Sequence, residues 1–406
     1  MLSSVSLRWL AVSVFIISSV LNYLDRSLLG SLAPLIMSEF HFNQAAYGWL
    51  ISAFSATYAL SALGAGWALD RFGVNRTTYA AAAWWSTAAV GTGIVGSLPA
   101  LGVCRAALGI GESAGVSAVG KLNAIYLKPE ERALGAALNQ IGISLGASLA
   151  VYWGIGAAGI HGWRWPFMVA GICGFGWLPL WWLVSRTVPA QFQKLELSSE
   201  QERRRQPLFE ILNERNLIIL VVANLLWMGG YSLWSSWITL YLVHVHHLTL
   251  EQTRHYAWIP PLVSNVGGFF GGWLSYRWTK KTGDPVGARR RAVWVGAICS
   301  LVTLALPFAV DARWATALIS ASFFFALAGS VNIYALPIDI FGAKRAGMAL
   351  AALTCSYGFL QMVISPVIGF LSDHKLYTEV IWMVTLPLIL SALALQKLQP
   401  QTSIPE

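Results

Sequence analysis

Gly66-Trp67-Ala68-Leu69-Asp70-Arg71-Phe72-Gly73-Val74-Asn75-Arg76 is a short charged island between two apolar runs, 45–69 and 77–97, and its reading decides the fold. Each run has about the ~20 residues that a helix needs to cross a bilayer. Outward from this island, similar runs recur at 9–36, 101–127, 132–158, 164–185, 215–243, 252–277, 290–310, 314–338, 345–371 and 378–396. The 406-residue chain is 56% hydrophobic and 11% charged, where a soluble domain carries about 25% charged residues. The pattern predicts an all-α membrane protein with twelve transmembrane helices. A transmembrane barrel would instead show short alternating segments.

Charge placement orients the chain. The net charge is +9, which in a soluble protein would invite a nucleic-acid partner. Here Arg164, Arg254, Arg313 and Lys375 fall on one side of the predicted bilayer, and Arg26, Arg105 and Lys121 fall within helices. The other 20 of the 27 Lys and Arg fall on the opposite side. That asymmetry follows the positive-inside rule and predicts that both termini are cytoplasmic. It reads as topology, so no nucleic-acid partner is expected. The first apolar run is too long for a cleavable leader and has no clear small-residue cleavage site, so it is expected to remain as the first helix. Cys104, Cys173, Cys299 and Cys355 all fall inside predicted helices and read as free, buried thiols.

The polar stretch 186–214, with Glu196, Glu200, Glu202 and Arg203-Arg204-Arg205, divides six predicted helices from six more. Residues 1–185 are expected to form one six-helix bundle and 215–406 the second, joined by a cytoplasmic linker. Gly272-Trp273-Leu274-Ser275-Tyr276-Arg277 repeats the island's beginning at the matching place in the second half, as expected of a transporter built from repeats. Gly369-Phe370-Leu371-Ser372-Asp373 is a weaker echo. Among the 37 glycines, clusters at 64/66, 109/111, 142/146 and 267/268/271/272 predict close helix packing.

The chemistry is expected at a few charges placed in hydrocarbon, where each costs about 2.5–3.5 kcal/mol or more at the bilayer centre. Asp25 and Arg26 lie deep in the first helix, and Arg105 and Glu112 share a face of the fourth. A structural ion pair is the bland reading; a transport pathway or proton relay is the sharper one. A low dielectric favours the neutral carboxyl, while a neighbouring guanidinium favours the carboxylate. Glu112 beside Arg105 therefore reads as a proton switch, with Asp25 as a second proton site. Arg26 offers a fork of donors suited to a substrate carboxylate.

Polar residues in other helices are candidate cavity groups for a polyhydroxylated ligand: Asn22, Tyr23, Tyr58, Asn139, Gln140, Asn332, Tyr357, Gln361 and Ser365, with Trp234 and Trp237 as mid-helix aromatics. Each could equally bridge helices. Lys121 reads as a side chain snorkelling to the interface. His244, His246 and His247 lack the i, i+4 spacing of a helical metal site and read as an ordinary loop. No metal, cofactor or enzymatic constellation is expected.

The island, as Gly66-x-x-x-Asp70-Arg71-x-Gly73-x-x-Arg76, resembles the signature loop of the major facilitator superfamily. Arg105-x-x-x-Gly109-x-Gly111-Glu112 resembles its helix-four motif. Asn22-Tyr23-Leu24-Asp25-Arg26, Tyr47-Gly48-Trp49, Gly162-Trp163-Arg164 and Ala257-Trp258-Ile259-Pro260 are similar to the anion:cation symporter family within it. Its bacterial members include hexuronate and galactonate transporters. The resemblance implies symport of an organic anion with protons. It implies proton coupling by Asp25 and Glu112, charge pairing by Arg105, and substrate contact by Arg26, Tyr23 and Tyr58. Ser113-Ala114-Gly115-Val116 and Tyr276 depart from the family pattern.

The expected function is therefore proton-coupled symport of a small organic anion, a sugar acid above all, by two halves rocking in the bacterial inner membrane. Gly66, Asp70, Arg71, Gly73 and Arg76 are expected to form a conformational gate. The chain is expected to act as a monomer whose partners are the anion, protons and the lipid bilayer. An exchanger or uniporter of mono- or dicarboxylates and a transporter-like ligand sensor are the competing readings.

Overall fold

Gly73 adopts φ 81° and ψ 163°, a conformation that an L-residue with a Cβ rarely reaches. It joins two helical arms within α3 (Gln44–Ile94). Thr77 Oγ1 donates to Ala68 O across this joint, at 2.9 Å. Gly342, at φ 71° and ψ 166°, does the same within α13 (Ala312–Asp373). The computed structural model describes residues 4–128, 131–187 and 214–399.

The other elements are α1 (Ser4–Ser31), α2 (Ala33–Phe40), α4 (Leu98–Glu112), α5 (Gly115–Tyr126), α6 (Arg132–His161) and α7 (Arg164–Thr187). Then come α8 (Arg215–Trp227), α9 (Gly229–Val245), α10 (Leu250–Arg254), α11 (Ile259–Thr282) and α12 (Pro285–Ser300), the last continued by a 3-10 stretch, Leu301–Phe308. The series ends with α14 (Tyr377–Thr385) and α15 (Pro387–Leu395). All the predicted apolar runs fall on helix, and no strand occurs among the described residues. Eight helical spans among them are long and apolar enough to cross a bilayer.

Several helices start where local chemistry satisfies the free N–H groups. Ser97 accepts from Ala100 N, Asp284 from Gly287 N and Asp311 from Trp314 N. Thr249 and Gln252 form a reciprocal capping box. Boundaries differ from expectation inside several runs, including breaks at Met228 in 215–243 and at Leu386 in 378–396. The first run breaks at Leu32, the fourth breaks at Ser113 and Ala114, directly after Glu112, and the run expected at 252–277 is interrupted before Ile259.

The chain divides into two compact units. One takes in the residues to His41 and those from Ala53 through α7. There α1 packs on α6 and α7. A Cβ on Gly146 would run into the Val20 carbonyl, and one on Gly109 into the Phe54 carbonyl and Thr57 Oγ1. Trp177 and Trp181 stack at 5.7 Å and meet Phe15 edge-on. Trp177 Nε1 donates to Val14 O at 2.7 Å.

The second unit takes Phe42–Ser52 and everything from α8 onward. Gly267 and Gly271 bring α11 against the Phe324 and Ala328 carbonyls of α13. Trp227 fills the space above Gly329 and donates to Ala326 O at 2.8 Å. The weak echo ending at Asp373 has a definite job here. Asp373 accepts from the N–H groups of both Gln44 and Ala45, each at 2.9 Å, at the start of α3. Gly48 and Gly369 let the two backbones meet beside it.

Some expectations need correction. Gly64, Gly66 and Gly272 face open space among the described residues and show no close helix packing there. Lys121 does not snorkel: it is buried and donates to Leu69 O at 2.6 Å, near the end of the first arm of α3, where a cation offsets the helix C-terminal carbonyls. The cysteines are free thiols but not buried: Cys104, Cys299 and Cys355 are half-buried and Cys173 is exposed. The linker expected at 186–214 lies outside the described residues except at its ends.

Candidate functional site: a caged arginine beside a buried carboxylate

One face of α1 carries Phe15, Ser18, Ser19, Asn22, Tyr23 and Arg26, at spacings of three and four residues that place them in one line. All six line a cavity of about 30 Å³ within the first unit, a volume on the order of one or two waters. Across from α1 stand Tyr58, Thr78, Ala81 and Trp85 of α3, Glu112 at the end of α4, and Asn139 and Ile143 of α6. Ala114, Gly115, Ala118 and Val119 complete the wall.

Arg26 and Glu112 are joined inside this cavity. Arg26 Nε donates to Glu112 Oε2 at 2.8 Å, and Nη2 lies 2.8 Å from the same oxygen in an ion pair. The Glu112 side chain is 0% exposed and that of Arg26 is 22% exposed. Glu112 Oε1 is buried and accepts no hydrogen bond. The Arg26 guanidinium is also surrounded by rings, with centroids at 4.5 Å for Tyr23, 4.8 Å for Phe54 and 4.9 Å for Tyr58. Cation–π attraction strengthens as water is removed, so the cage holds the guanidinium plane in one orientation. One fork of Arg26 is thus spent on a single carboxylate oxygen, and its reach into the cavity is what an incoming anion would compete for.

The partner differs from the one that helix-four spacing suggested. Arg105 is buried, donates through Nη2 to Thr92 Oγ1 at 3.0 Å, and lies over the Phe167 ring at 5.5 Å. Asp25 is 2% exposed, and neither of its oxygens accepts a hydrogen bond. It lies within Coulombic range of Arg105 and Glu112. The four ionisable groups thus sort into a direct pair, Arg26–Glu112, and two further buried groups, Asp25 and Arg105, within electrostatic range of it.

Of the other expected site residues, Tyr23, Tyr58 and Asn139 line the cavity, and Gln140 does not. Asn139 Oδ1 accepts from Ser19 Oγ at 2.7 Å. Trp234, Tyr357, Gln361 and Ser365 belong to the second unit. There Trp234 Nε1 donates to Ser322 Oγ at 2.9 Å, Tyr357 meets the Tyr231 ring, and Gln361 Nε2 lies 3.4 Å from Ser236 Oγ. Ser365 is fully buried, its hydroxyl without a hydrogen-bond partner. Asn332 bridges helices through Gly271 O and Ala328 O. Trp237 packs edge-on to Tyr47 at 4.9 Å. At the expected gate, Arg71 and Arg76 are exposed, Gly73 forms the joint, and the Asp70 side chain lies outside the described residues. His246 packs on Tyr241.

Sequence reasoning missed Phe54, Thr78 and Ser19. Phe54 stacks on Tyr58 at 5.7 Å, one helical turn away. A search for aromatics at i−4 from Tyr58 would have found it. Ser19 sits at i−3 from Asn22 and i−7 from Arg26, on the same face.

A helical membrane protein with a charge pair at the wall of an internal cavity has the build of a membrane transporter. The Major Facilitator Superfamily profile matches residues 15–333, and the chain belongs to that family. Among characterised relatives it is similar to the hexuronate transporter of Escherichia coli K12, 24% identical over 381 residues, covering 90% of this chain and 88% of the relative. The galacturonate transporter of Dickeya chrysanthemi is 26% identical over 284 residues, covering 66% and 81%. A probable sulfoacetate transporter of Cupriavidus necator is 31% identical over 224 residues, covering 52% of each chain. In fold the chain is similar to a D-xylose–proton symporter, with a TM-score of 0.73 at 16% identity over 97% of this chain and 98% of that one.

Proposed function

We propose that the protein is a proton-coupled symporter of small organic anions, with sugar acids as its substrate class. The observation that carries this reading is the Arg26–Glu112 pair enclosed by three aromatic rings at the cavity wall. The names of the relatives, two of them uronate transporters, support the substrate class.

The coupling follows from competition for one cation. A substrate carboxylate takes the Arg26 fork, and Glu112 is left buried without its partner. An unpaired buried carboxylate is costly, and protonation removes that cost. Anion and proton then load together. Asp25 and Arg105 form the second, through-space pair that tunes the proton's residence. Tyr23, Tyr58 and Asn139 contact the substrate from this unit, and Gln140, Trp234, Tyr357, Gln361 and Ser365 remain substrate candidates by their polarity and depth in the sequence.

Alternating access completes the cycle. The six-helix halves, 1–185 and 215–406, rock about the site, with Gly66, Asp70, Arg71, Gly73 and Arg76 biasing the equilibrium. The protein works as a monomer in a bacterial inner membrane with both termini in the cytoplasm. Proteoliposomes given an acid exterior should accumulate galacturonate above its external concentration. Uptake indifferent to the pH step would replace symport by uniport or exchange.

A further inference from the structure

Two donors in the cavity wall are buried and unused. Asn22 is 7% exposed and Thr78 is 3% exposed. Asn22 Nδ2 and Thr78 Oγ1 have no hydrogen-bond partner, and both residues line the cavity that holds Arg26. A buried donor left unsatisfied costs about 1–3 kcal/mol, and such groups in a native protein call for an explanation. They come from different elements, α1 and the second arm of α3, so one local distortion does not account for both.

Their position relative to Arg26 supplies the explanation. Asn22 precedes Arg26 by four residues, about 6 Å along a helix rising 1.5 Å per residue. Ser19 is about 10 Å away by the same measure. A six-carbon acid whose carboxylate sits on Arg26, with zigzag bonds of about 1.5 Å, reaches about 6 Å, the height of Asn22. Its hydroxyls then lie level with Asn22. Ser19 Oγ donates to Asn139 Oδ1, which turns the Asn139 amide nitrogen away from Ser19 as a further donor. A two-carbon anion on Arg26 ends short of this row.

We infer that Asn22 and Thr78 form a hydroxyl-reading subsite that selects polyhydroxylated carboxylates over short anions carrying no hydroxyl. This rests on the proposed anion transport at the same cavity. Selection works through the unsatisfied donors: a site built to hydrogen-bond a substrate hydroxyl rejects an analogue that lacks it, because its buried donors stay unpaired. Trp85 and Ala81 supply the apolar side, against which the carbon skeleton would pack once the cavity widens to admit it.

The test measures binding of galacturonate and of sulfoacetate to the purified full-length protein by titration calorimetry, in wild type, Thr78→Val, Thr78→Ser and Asn22→Leu. The inference predicts that wild type prefers galacturonate. Thr78→Val and Asn22→Leu should each lower the galacturonate-to-sulfoacetate affinity ratio by about tenfold, the loss of one hydrogen bond to a buried donor. Thr78→Ser, which keeps the hydroxyl, should preserve the ratio, and this separates hydrogen bonding from packing. A wild-type ratio near one, or a ratio unchanged in Thr78→Val, overturns the subsite while leaving anion transport standing. Failure of the wild type to bind either anion overturns the transport reading itself, and the subsite with it.

Discussion

Replacing Glu112 by Gln separates a coupling carboxylate from a merely structural one, because the two readings predict opposite changes in affinity. The wild-type pair puts Arg26 Nε and Nη2 each 2.8 Å from one Glu112 oxygen, with the glutamate side chain fully buried. An incoming anion must displace that oxygen. The amide introduced by Glu112→Gln would keep an acceptor of similar shape but remove the charge, so the incumbent would hold Arg26 less firmly. Charge-assisted hydrogen bonds contribute about 1.5–3 kcal/mol. With Arg26 partly exposed, the lower end applies, about 1.5 kcal/mol after screening. Anion affinity should therefore rise about tenfold in Glu112→Gln. Wild-type affinity should improve on acidification, as protonated Glu112 releases Arg26, while the variant's affinity should stay flat. Gradient-driven accumulation should be lost in the variant. Calorimetric titration of galacturonate at pH 5.5 and 7.5 reads the first two outcomes, and proteoliposome uptake reads the third. Weaker binding in Glu112→Gln, or a pH dependence as steep as wild type, would refute the competition between carboxylates.

Arg26→Lys should weaken anion binding by at least tenfold, since an ammonium cannot present a planar fork between the rings of Tyr23, Phe54 and Tyr58; wild-type affinity in that variant would move the anion site elsewhere. Asp373→Asn should cost about 0.5–2 kcal/mol by weakening the cap on Gln44 and Ala45. Hydrogen exchange of those amides should speed up, and unchanged protection would show that the cap is incidental. Near the end of α2, Glu39 accepts from Trp163 Nε1 at 2.6 Å and pairs with Arg164 at 2.7 Å. The Trp163 hydrogen bond first, and then Arg164, hold its carboxyl below the ordinary value of 4.5. Because the folded-state value is depressed, the contribution is present above pH 4.5 and disappears as pH falls through the lowered value. The melting temperatures of wild type and Glu39→Gln should differ at pH 6 and converge under acid, and a gap independent of pH would discard the assignment.

The helices were legible because a bilayer admits few alternatives: the apolar runs had to be spans, and the charged island at 66–76 had to separate two of them. Arg26, Tyr23, Tyr58 and Glu112 were legible for a related reason, since charge and polarity are expensive inside a membrane. The pairing within that set was not. Arg105 and Glu112 share a helix face, but seven residues separate them by about 10 Å along the axis, too far for a direct contact without help. Arg26, arriving from another helix, makes the contact instead. Sequence periodicity orders residues along one helix and is silent on which helix faces which. Lys121 was misread for the same reason. Its acceptor, the Leu69 carbonyl, is a backbone group that no side-chain pattern records. Thr78 looked like any threonine near a helix start, and only the cavity around it shows that its hydroxyl is unspent.

Direct observation of proton movement with the anion tests the central claim most sharply. Proteoliposomes with no imposed gradient, in a weakly buffered medium, receive a pulse of galacturonate while external pH is recorded. The account predicts alkalinisation of the medium in step with uptake in wild type, and none in Glu112→Gln. Galacturonate entry into wild-type vesicles with no change in external pH would contradict it.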